Sequence, residues 1–211
     1  MTIVCLDMES VLTPEIWIDF SEASGIPELR RTTRDEPDYD KLMRWRIATL
    51  KEHGLGLKEV QDVISTIDPL PGAPEFVAKL RERVQAVILS DTFEEFASPL
   101  IKKLGMPPIL CNSLEVSPSG QILSHKMRIS HSKLSAVKAF QSINYETIAV
   151  GDSYNDLEML NASKVGFLFN ASQKMIDENP NLKPFFDYDS LYNAIPGKPI
   201  RYEKNLLTQC C

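Results

Sequence analysis

Short, almost uninterrupted apolar runs recur along this chain and alternate with stretches of helical period. Thr2–Leu6 reads as a buried strand, because a β-branched run there stops at a polar cluster. Val84–Leu89, Thr147–Val150 and Val165–Phe169 repeat the pattern further on. Runs without polar alternation are what a sheet buried on both faces requires, so a parallel sheet between helices is expected. The helices appear as 3.6-period segments at Ala73–Glu82, Phe93–Leu104, Ser132–Phe140 and Asp156–Ala162. Gly105 stands where the second of these would end.

Between the first run and Ala73 lies an insert, Thr13 to Pro71, too long for a crossover loop. It reads as three helices, Glu15–Ser24, Asp38–Glu52 and Leu57–Thr66, broken by Gly25, Pro27, Pro37, Gly54 and Gly56. Leu42, Trp45, Ile47 and Leu50 can form an apolar stripe on the middle helix. The insert is therefore expected to be a small helical cap beside the mouth of the sheet. A second insert, Leu114–Ser124, carries Pro118-Ser119-Gly120 between two alternating runs and reads as a β-hairpin. The charged stretch Arg30–Lys41 holds both signs and reads as a solvated loop. The expected division is a discontinuous α/β core, 1–12 and 72–195, a cap, 13–71, and a tail, 196–211.

Composition narrows the function classes. The chain has 211 residues, 43% hydrophobic and 25% charged, which fits one folded unit and excludes collagen-like, coiled-coil and disordered readings. Its net charge of −6 speaks against electrostatic nucleic-acid binding. No apolar run approaches the roughly 20 residues of a membrane span, and the first residues lack the basic start of a signal peptide. Cys5, Cys111, Cys210 and Cys211 form no CxxC pair, so neither a disulfide framework nor a zinc site is expected. The cytoplasm is the expected compartment. Cys210-Cys211 reads as a frayed end, since only Arg201 and Lys204 precede it as a basic signal for lipidation. His53, His125 and His131 fall in different elements and read as surface or core residues.

The chemistry collects at the strand ends, where open α/β sheets place their reactive groups. The first strand ends in Leu6-Asp7-Met8-Glu9-Ser10-Val11-Leu12, the second in Leu89-Ser90-Asp91-Thr92, the third in Val150-Gly151-Asp152-Ser153-Tyr154-Asn155-Asp156. Lys133 stands at the start of a helix between the last two. Asp7 and Asp152 can share a hard divalent cation such as Mg²⁺, which takes one or two carboxylates plus water and phosphate oxygens. Asp7 can also attack phosphorus and carry an aspartyl-phosphate. Glu9 can protonate a leaving alkoxide and later deprotonate an attacking hydroxyl. Ser90 can donate to a phosphoryl oxygen and Lys133 supplies a cation, a set sufficient for phosphoryl transfer. Each residue alone has an ordinary reading: Asp and Ser as caps or turn formers, Lys133 as a surface lysine. It is their order along the chain that carries the inference.

Those motifs resemble the haloacid dehalogenase superfamily over residues 3 to about 170. The helical insert after the first motif and the hairpin at 114–124 look like the cap and flap of the phosphoserine phosphatase branch. In that branch a Glu and an Arg of the cap bind the substrate's ammonium and carboxylate, and Glu15 and Arg46 stand at the matching places. Arg suits a carboxylate because its donors form a fork. Two departures, Glu9 where Asp is usual and Asp91-Thr92 where many relatives carry glycine, are similar to the bacterial bifunctional phosphoserine phosphatase/homoserine phosphotransferases. So are Pro14-Glu15-Ile16-Trp17-Ile18 and Thr32-Thr33-Arg34-Asp35.

The resemblance implies a Mg²⁺-dependent enzyme that takes phosphoserine and passes its phosphoryl group to water or to homoserine. It implies Asp7 and Glu9 as catalytic, and Asp7, Asp152 and the Glu9 carbonyl on the metal. Glu15, Arg46, Ser90, Asp91, Lys133 and Asn155 would contact substrate, with Asp156 in support. Its partners would be small molecules, with no nucleic acid or membrane, and the chain a monomer or homodimer. The rivals are a phosphatase of another small metabolite, such as a sugar phosphate, and a phospho-aspartate signalling receiver. A receiver needs no cap.

Overall fold

The computed structural model describes residues 1–32, 35–36 and 38–197. Thr33, Arg34 and Pro37 of the insert lie outside the described residues, as do Arg201, Lys204, Cys210 and Cys211 of the expected tail. In chain order the elements are β1 (Thr2–Leu6), α1 (Ile16–Ser24), α2 (Tyr39–Glu52), α3 (Leu57–Thr66), α4 (Ala73–Arg81), β2 (Gln85–Phe93), α5 (Glu94–Lys103) and β3 (Ile109–Val116). Then come β4 (Ile122–Lys126), α6 (Ser132–Ser142), β5 (Glu146–Gly151), α7 (Leu157–Ala162), β6 (Val165–Phe169), α8 (Gln173–Glu178), β7 (Lys183–Phe185) and α9 (Tyr188–Ala194). Short 3-10 turns occupy Pro27–Arg30 and Tyr154–Asp156.

Among the described residues the strands form one seven-stranded sheet, ordered β4-β3-β2-β1-β5-β6-β7. Every neighbouring pair is parallel except β3 with β4. Side-chain alternation divides each central strand between two cores. Val4, Leu6, Ile88, Ile148, Val150 and Phe167 face one; Ile3, Cys5, Val87, Leu89, Ala149 and Leu168 face the other. The first is closed by Phe76, Leu80, Phe96, Leu100 and Leu191 from α4, α5 and α9, the second by Val137, Met159 and Leu160 from α6 and α7. A strand sandwiched this way has no solvent face, which is why its sequence shows no polar alternation.

The α/β reading of the sequence holds, and several boundaries move. Strand β2 runs on to Phe93, so Ser90 and Asp91 lie within a strand and not beyond its end. The expected hairpin at 114–124 is the far half of something larger. β3 starts at Ile109 as a parallel sheet member and only then turns back into β4. Strand β7 and helices α8 and α9 were not foreseen, because their periods are too short to read.

The insert contributes α1, α2 and α3, and its apolar side chains join the first core through Phe20, Met43, Leu50, Val60 and Ile64. The expected stripe on α2 is rotated. Leu42, Ile47 and Leu50 are buried, Arg46 is buried with them, and Trp45 stays half-buried beneath Arg31. In the charged stretch Arg30, Asp35, Asp38, Asp40 and Lys41 are exposed as expected, while Glu36 is buried, with Lys41 at 2.6 Å and Arg31 at 3.6 Å. Two contacts seat the hairpin on the insert. The N–H of Leu57 donates to the Gly120 carbonyl at 2.8 Å, and His125 Nε2 lies 3.0 Å from Asp40 Oδ1. A Cβ on Gly56 would sit 2.9 Å from the Gly120 oxygen, so the backbones approach too closely there for a side chain.

Candidate active site

Strand β1 delivers the first group. Its ladder ends as the Asp7 N–H donates to the Val150 carbonyl at 2.9 Å, which points the next residues past the sheet edge. The chain then turns tightly. The N–H groups of Leu12 and Thr13 both donate to the Met8 carbonyl, and Ser10 takes a left-handed φ of 60°. That turn leaves Asp7 and Glu9 lining one cleft of ≈ 710 Å³. Asp7 Oδ1 accepts from the Met8 N–H at 2.7 Å and lies 2.8 Å from Lys133 Nζ.

Strand β2 delivers Ser90 and Asp91 through an irregularity. β2 and β3 stay in register at Leu89↔Leu110 but resume at Phe93↔Asn112, a bulge over residues 90–92. Bulges of this kind re-aim side chains beside active sites. Asn112 pins this one, donating to the Asp91 carbonyl at 2.9 Å while its Oδ1 accepts from the Arg128 N–H at 3.0 Å. The Tyr39 hydroxyl donates to the same carbonyl at 3.3 Å. The Asp91 carboxylate accepts from the Ser132 hydroxyl at 2.9 Å and from Asn155 Nδ2 at 3.5 Å.

Lys133, the second residue of α6, reaches down between two acids. Its Nζ is 2.8 Å from Asp7 and 2.7 Å from Asp156, and it is 5% exposed. Asp156 is wholly buried, and its Oδ2 accepts from the N–H groups of Asp152 and Ser153 at 3.1 and 3.2 Å. It thus holds both the turn that carries Asp152 and the lysine. Asp7, Asp152 and Asp156 can bring one oxygen each within 4.8 Å of one another. Three carboxylates against one ammonium leave two negative charges, and since both Asp156 oxygens already accept hydrogen bonds, Asp7 and Asp152 are the carboxylates that fit one divalent cation.

Burial sets the electrostatics. It pushes the Asp7 carboxyl up, as do Asp156 and Asp152, while Lys133 pulls it down. It pushes Asp152 up to about 7, helped by Asp156. Lys133 is raised despite its burial, because Asp7, Asp156 and Asp91 surround it. Burial, then the charge of Glu15, lifts Glu9 to about 7, against the pull of Lys133 and Arg46. A carboxyl near neutrality can both give and take a proton.

The insert supplies the remaining groups. Glu15 immediately precedes α1 and lines the cleft. Arg46 projects inward from α2 and is 4% exposed, with Nη2 donating to the Arg31 carbonyl at 2.7 Å. Burial lowers it to about 10, still a cation at neutral pH. The cleft therefore gathers Asp7, Glu9, Glu15, Arg46, Ser90 and Asp91, together with Lys133, Asp152 and Asn155. Asp156 lies beneath them. Sequence reasoning missed Trp17, Tyr39, Ser132 and Asn112. Nothing local distinguishes these four from core or loop residues. The histidines each meet an acid: His53 with Glu28, His125 with Asp40, His131 with Glu158.

This fold and this acid–lysine site define a class. The chain belongs to the haloacid dehalogenase-like hydrolases, whose family model matches residues 1–164. It is 50% identical to the phosphoserine phosphatase ThrH of Pseudomonas aeruginosa over 191 residues, covering 90% of this chain and 93% of that one. To a phosphoserine phosphatase of Pseudomonas syringae pv. tomato it is 51% identical, over 90% of this chain and 80% of the relative. Its fold also matches a solved substrate-bound phosphoserine phosphatase complex with a TM-score of 0.75 at 21% identity, covering 92% of this chain and 98% of that one. Among the described residues, no helix is long and apolar enough to cross a membrane.

Proposed function

We propose that this chain is a phosphoserine phosphatase that works through a phosphoryl-aspartate on Asp7, with water or the hydroxyl of homoserine as acceptor. The observation that carries this reading is the meeting of two sets of groups in one cleft. Asp7, Glu9, Ser90 and Lys133 come from the sheet; Glu15 and Arg46 come from the insert. The first set suits a phosphoryl group, and the second suits the ammonium and carboxylate of an amino acid. A sugar phosphate offers neither an ammonium nor a carboxylate for that pair to bind. The identity to two named phosphoserine phosphatases points the same way.

In the first step an Asp7 oxygen attacks phosphorus and the bond from phosphorus to the serine oxygen breaks. Protonated Glu9 gives its proton to the departing alkoxide, and serine leaves. In the second step Glu9 takes a proton from water or the homoserine hydroxyl. The oxygen so freed attacks phosphorus, and the bond to Asp7 breaks. Ser90 and Lys133 hold the phosphoryl oxygens throughout, Lys133 being kept in place by Asp156, and Asn155 and Asp91 complete the substrate contacts. Asp7, Asp152 and the Glu9 carbonyl would hold Mg²⁺, which neutralises charge on the phosphoryl group when bound. Residues 13–71 act as the cap and the hairpin at 114–124 as its flap over a core of 1–12 and 72–195. The protein works in the cytoplasm, as a monomer or homodimer, on small molecules.

The test is incubation with phosphoserine and Mg²⁺, with and without homoserine, following free phosphate and phosphohomoserine. Phosphate release that disappears in Asp7→Asn supports the reading; retained turnover in that variant removes Asp7 as nucleophile. If phosphohomoserine never forms, the acceptor is water alone.

A further inference from the structure

We infer that Trp17 is a specificity-determining positioning residue, which holds the Arg46 guanidinium flat so that its donor edge serves the carboxylate of the substrate. The inference rests on the reading of Arg46 in the proposed function, and deepens it. Arg46 is buried, and its Cζ lies 4.3 Å from the centre of the Trp17 ring. That is well inside the distance of about 6 Å at which a cation is drawn to an aromatic face.

The geometry separates the two resources of a guanidinium. Its five N–H donors lie in the plane, and its faces carry none. A carboxylate partner would spend the donors; an aromatic face fixes the plane and leaves them free. One donor is already used, by Nη2 on the Arg31 carbonyl, which fixes the rotation within that plane. Nη1 meets Met43 Sδ at 3.7 Å, a weak contact. Nε is buried and has no hydrogen-bond partner among the described residues. An unpaired buried donor on a cation is costly unless something arrives to accept from it. Arg46 and Trp17 both line the cleft that holds Asp7, so a substrate bound there lies against this pair.

Trp17 is itself braced. It is 9% exposed and meets Phe20 and Phe96 edge-on, at 6.0 and 5.5 Å between ring centres. Phe96 in turn meets Phe93, the last residue of β2, edge-on at 5.7 Å. The strand that carries Ser90 thereby reaches Arg46 through three packed rings. The distance between the phosphoryl pocket and the carboxylate fork is set by rigid aromatic contacts and not by a flexible arginine. A ligand with a carboxylate at that one distance is favoured; a phosphate ester without one gains nothing from it.

The experiment uses the full chain with Mg²⁺ and an aryl phosphate as reporter substrate. Free L-serine, which has the carboxylate and no phosphate, and inorganic phosphate, which has the reverse, serve as competing inhibitors. Trp17→Leu and Trp17→Met remove the ring face; Trp17→Phe keeps one. For the first two, the inhibition constant of serine and the KM of phosphoserine should rise about tenfold, the scale of a desolvated cation–π contact, while the inhibition constant of phosphate moves less than about twofold. Trp17→Phe should recover most of the loss. Thermal melts identify a variant that fails to fold, in which case Trp17→Phe against the folded apolar variant decides. Equal weakening of serine and phosphate, or no weakening of serine, overturns the role of Trp17. Wild-type enzyme that ignores both serine and phosphoserine overturns the proposed function itself, and is told apart by needing no variant.

Discussion

Asp156 is the buried residue on which the site's arrangement hangs, and Asp156→Asn tests that directly because it keeps the shape and removes the charge. Its Oδ1 accepts from Lys133 at 2.7 Å, and its Oδ2 accepts from two backbone N–H groups at 3.1 and 3.2 Å and the Ser153 hydroxyl at 3.3 Å. Every one of those contacts is a donor, so an amide NH₂ must face donors at whichever end it takes. With the NH₂ toward Lys133, one charge-assisted bond worth about 1.5–3 kcal/mol is lost and two cationic or polar hydrogens oppose. With it toward the turn, two backbone N–H groups lose their acceptor at about 1–3 kcal/mol each. Lys133 keeps Asp7 at 2.8 Å, which holds the loss toward the lower end of the roughly 3–5 kcal/mol expected for stranding a buried charge. The expected cost is therefore about 3 kcal/mol, or a fall in Tm of roughly 6–12 °C for a chain of this size. Urea and thermal unfolding should be followed in chelator, so that metal binding adds nothing to the difference. A double-mutant cycle with Lys133→Met should show a coupling above about 1 kcal/mol. A loss below about 0.5 kcal/mol, or additive losses in the cycle, would refute the view that Asp156 holds the turn and the lysine together.

Other perturbations probe other parts. Arg46→Ala should lower the ratio of kcat/KM for phosphoserine over an aryl phosphate by about tenfold or more, the worth of a charge-assisted fork; an unchanged ratio would argue against carboxylate recognition. Gly151→Ala would place a Cβ 2.5 Å from both Cβ and Cγ of Asp156, and should destabilise by about 1–3 kcal/mol as an overpacked core does, measured as the shift in denaturation midpoint. Chelation should abolish phosphate release and added Mg²⁺ restore it; full activity after exhaustive chelation would remove the metal from the scheme.

Legibility varied with the physics behind each element. Strands β1, β5 and β6 were readable because burial on both faces forces continuous apolar runs, and Asp7 and Asp152 followed from their ends. The apolar run ends at Leu89, which puts Ser90 beyond a strand. It lies within β2, where a bulge against β3 turns it, and no local pattern encodes a register shift. Periodicity puts Trp45 in the apolar stripe of α2, and resemblance alone assigns Arg46 to the substrate. Periodicity treats a buried cation as a polar position, so it cannot foresee the ring that makes its burial tolerable.

By itself the sequence determined the alternation of strand and helix, the insert after the first strand, and the order of acid, serine, lysine and acid. These depend on composition and spacing within a few residues. Only the tertiary structure decided that Lys133 bridges Asp7 and Asp156, that Asn112 pins the bulge at Asp91, and that Trp17 underlies Arg46. Each of these joins residues far apart in the chain, and burial of charge is acceptable only where such distant partners meet. A linear pattern holds the parts of this site, but their pairing is a property of the packed core.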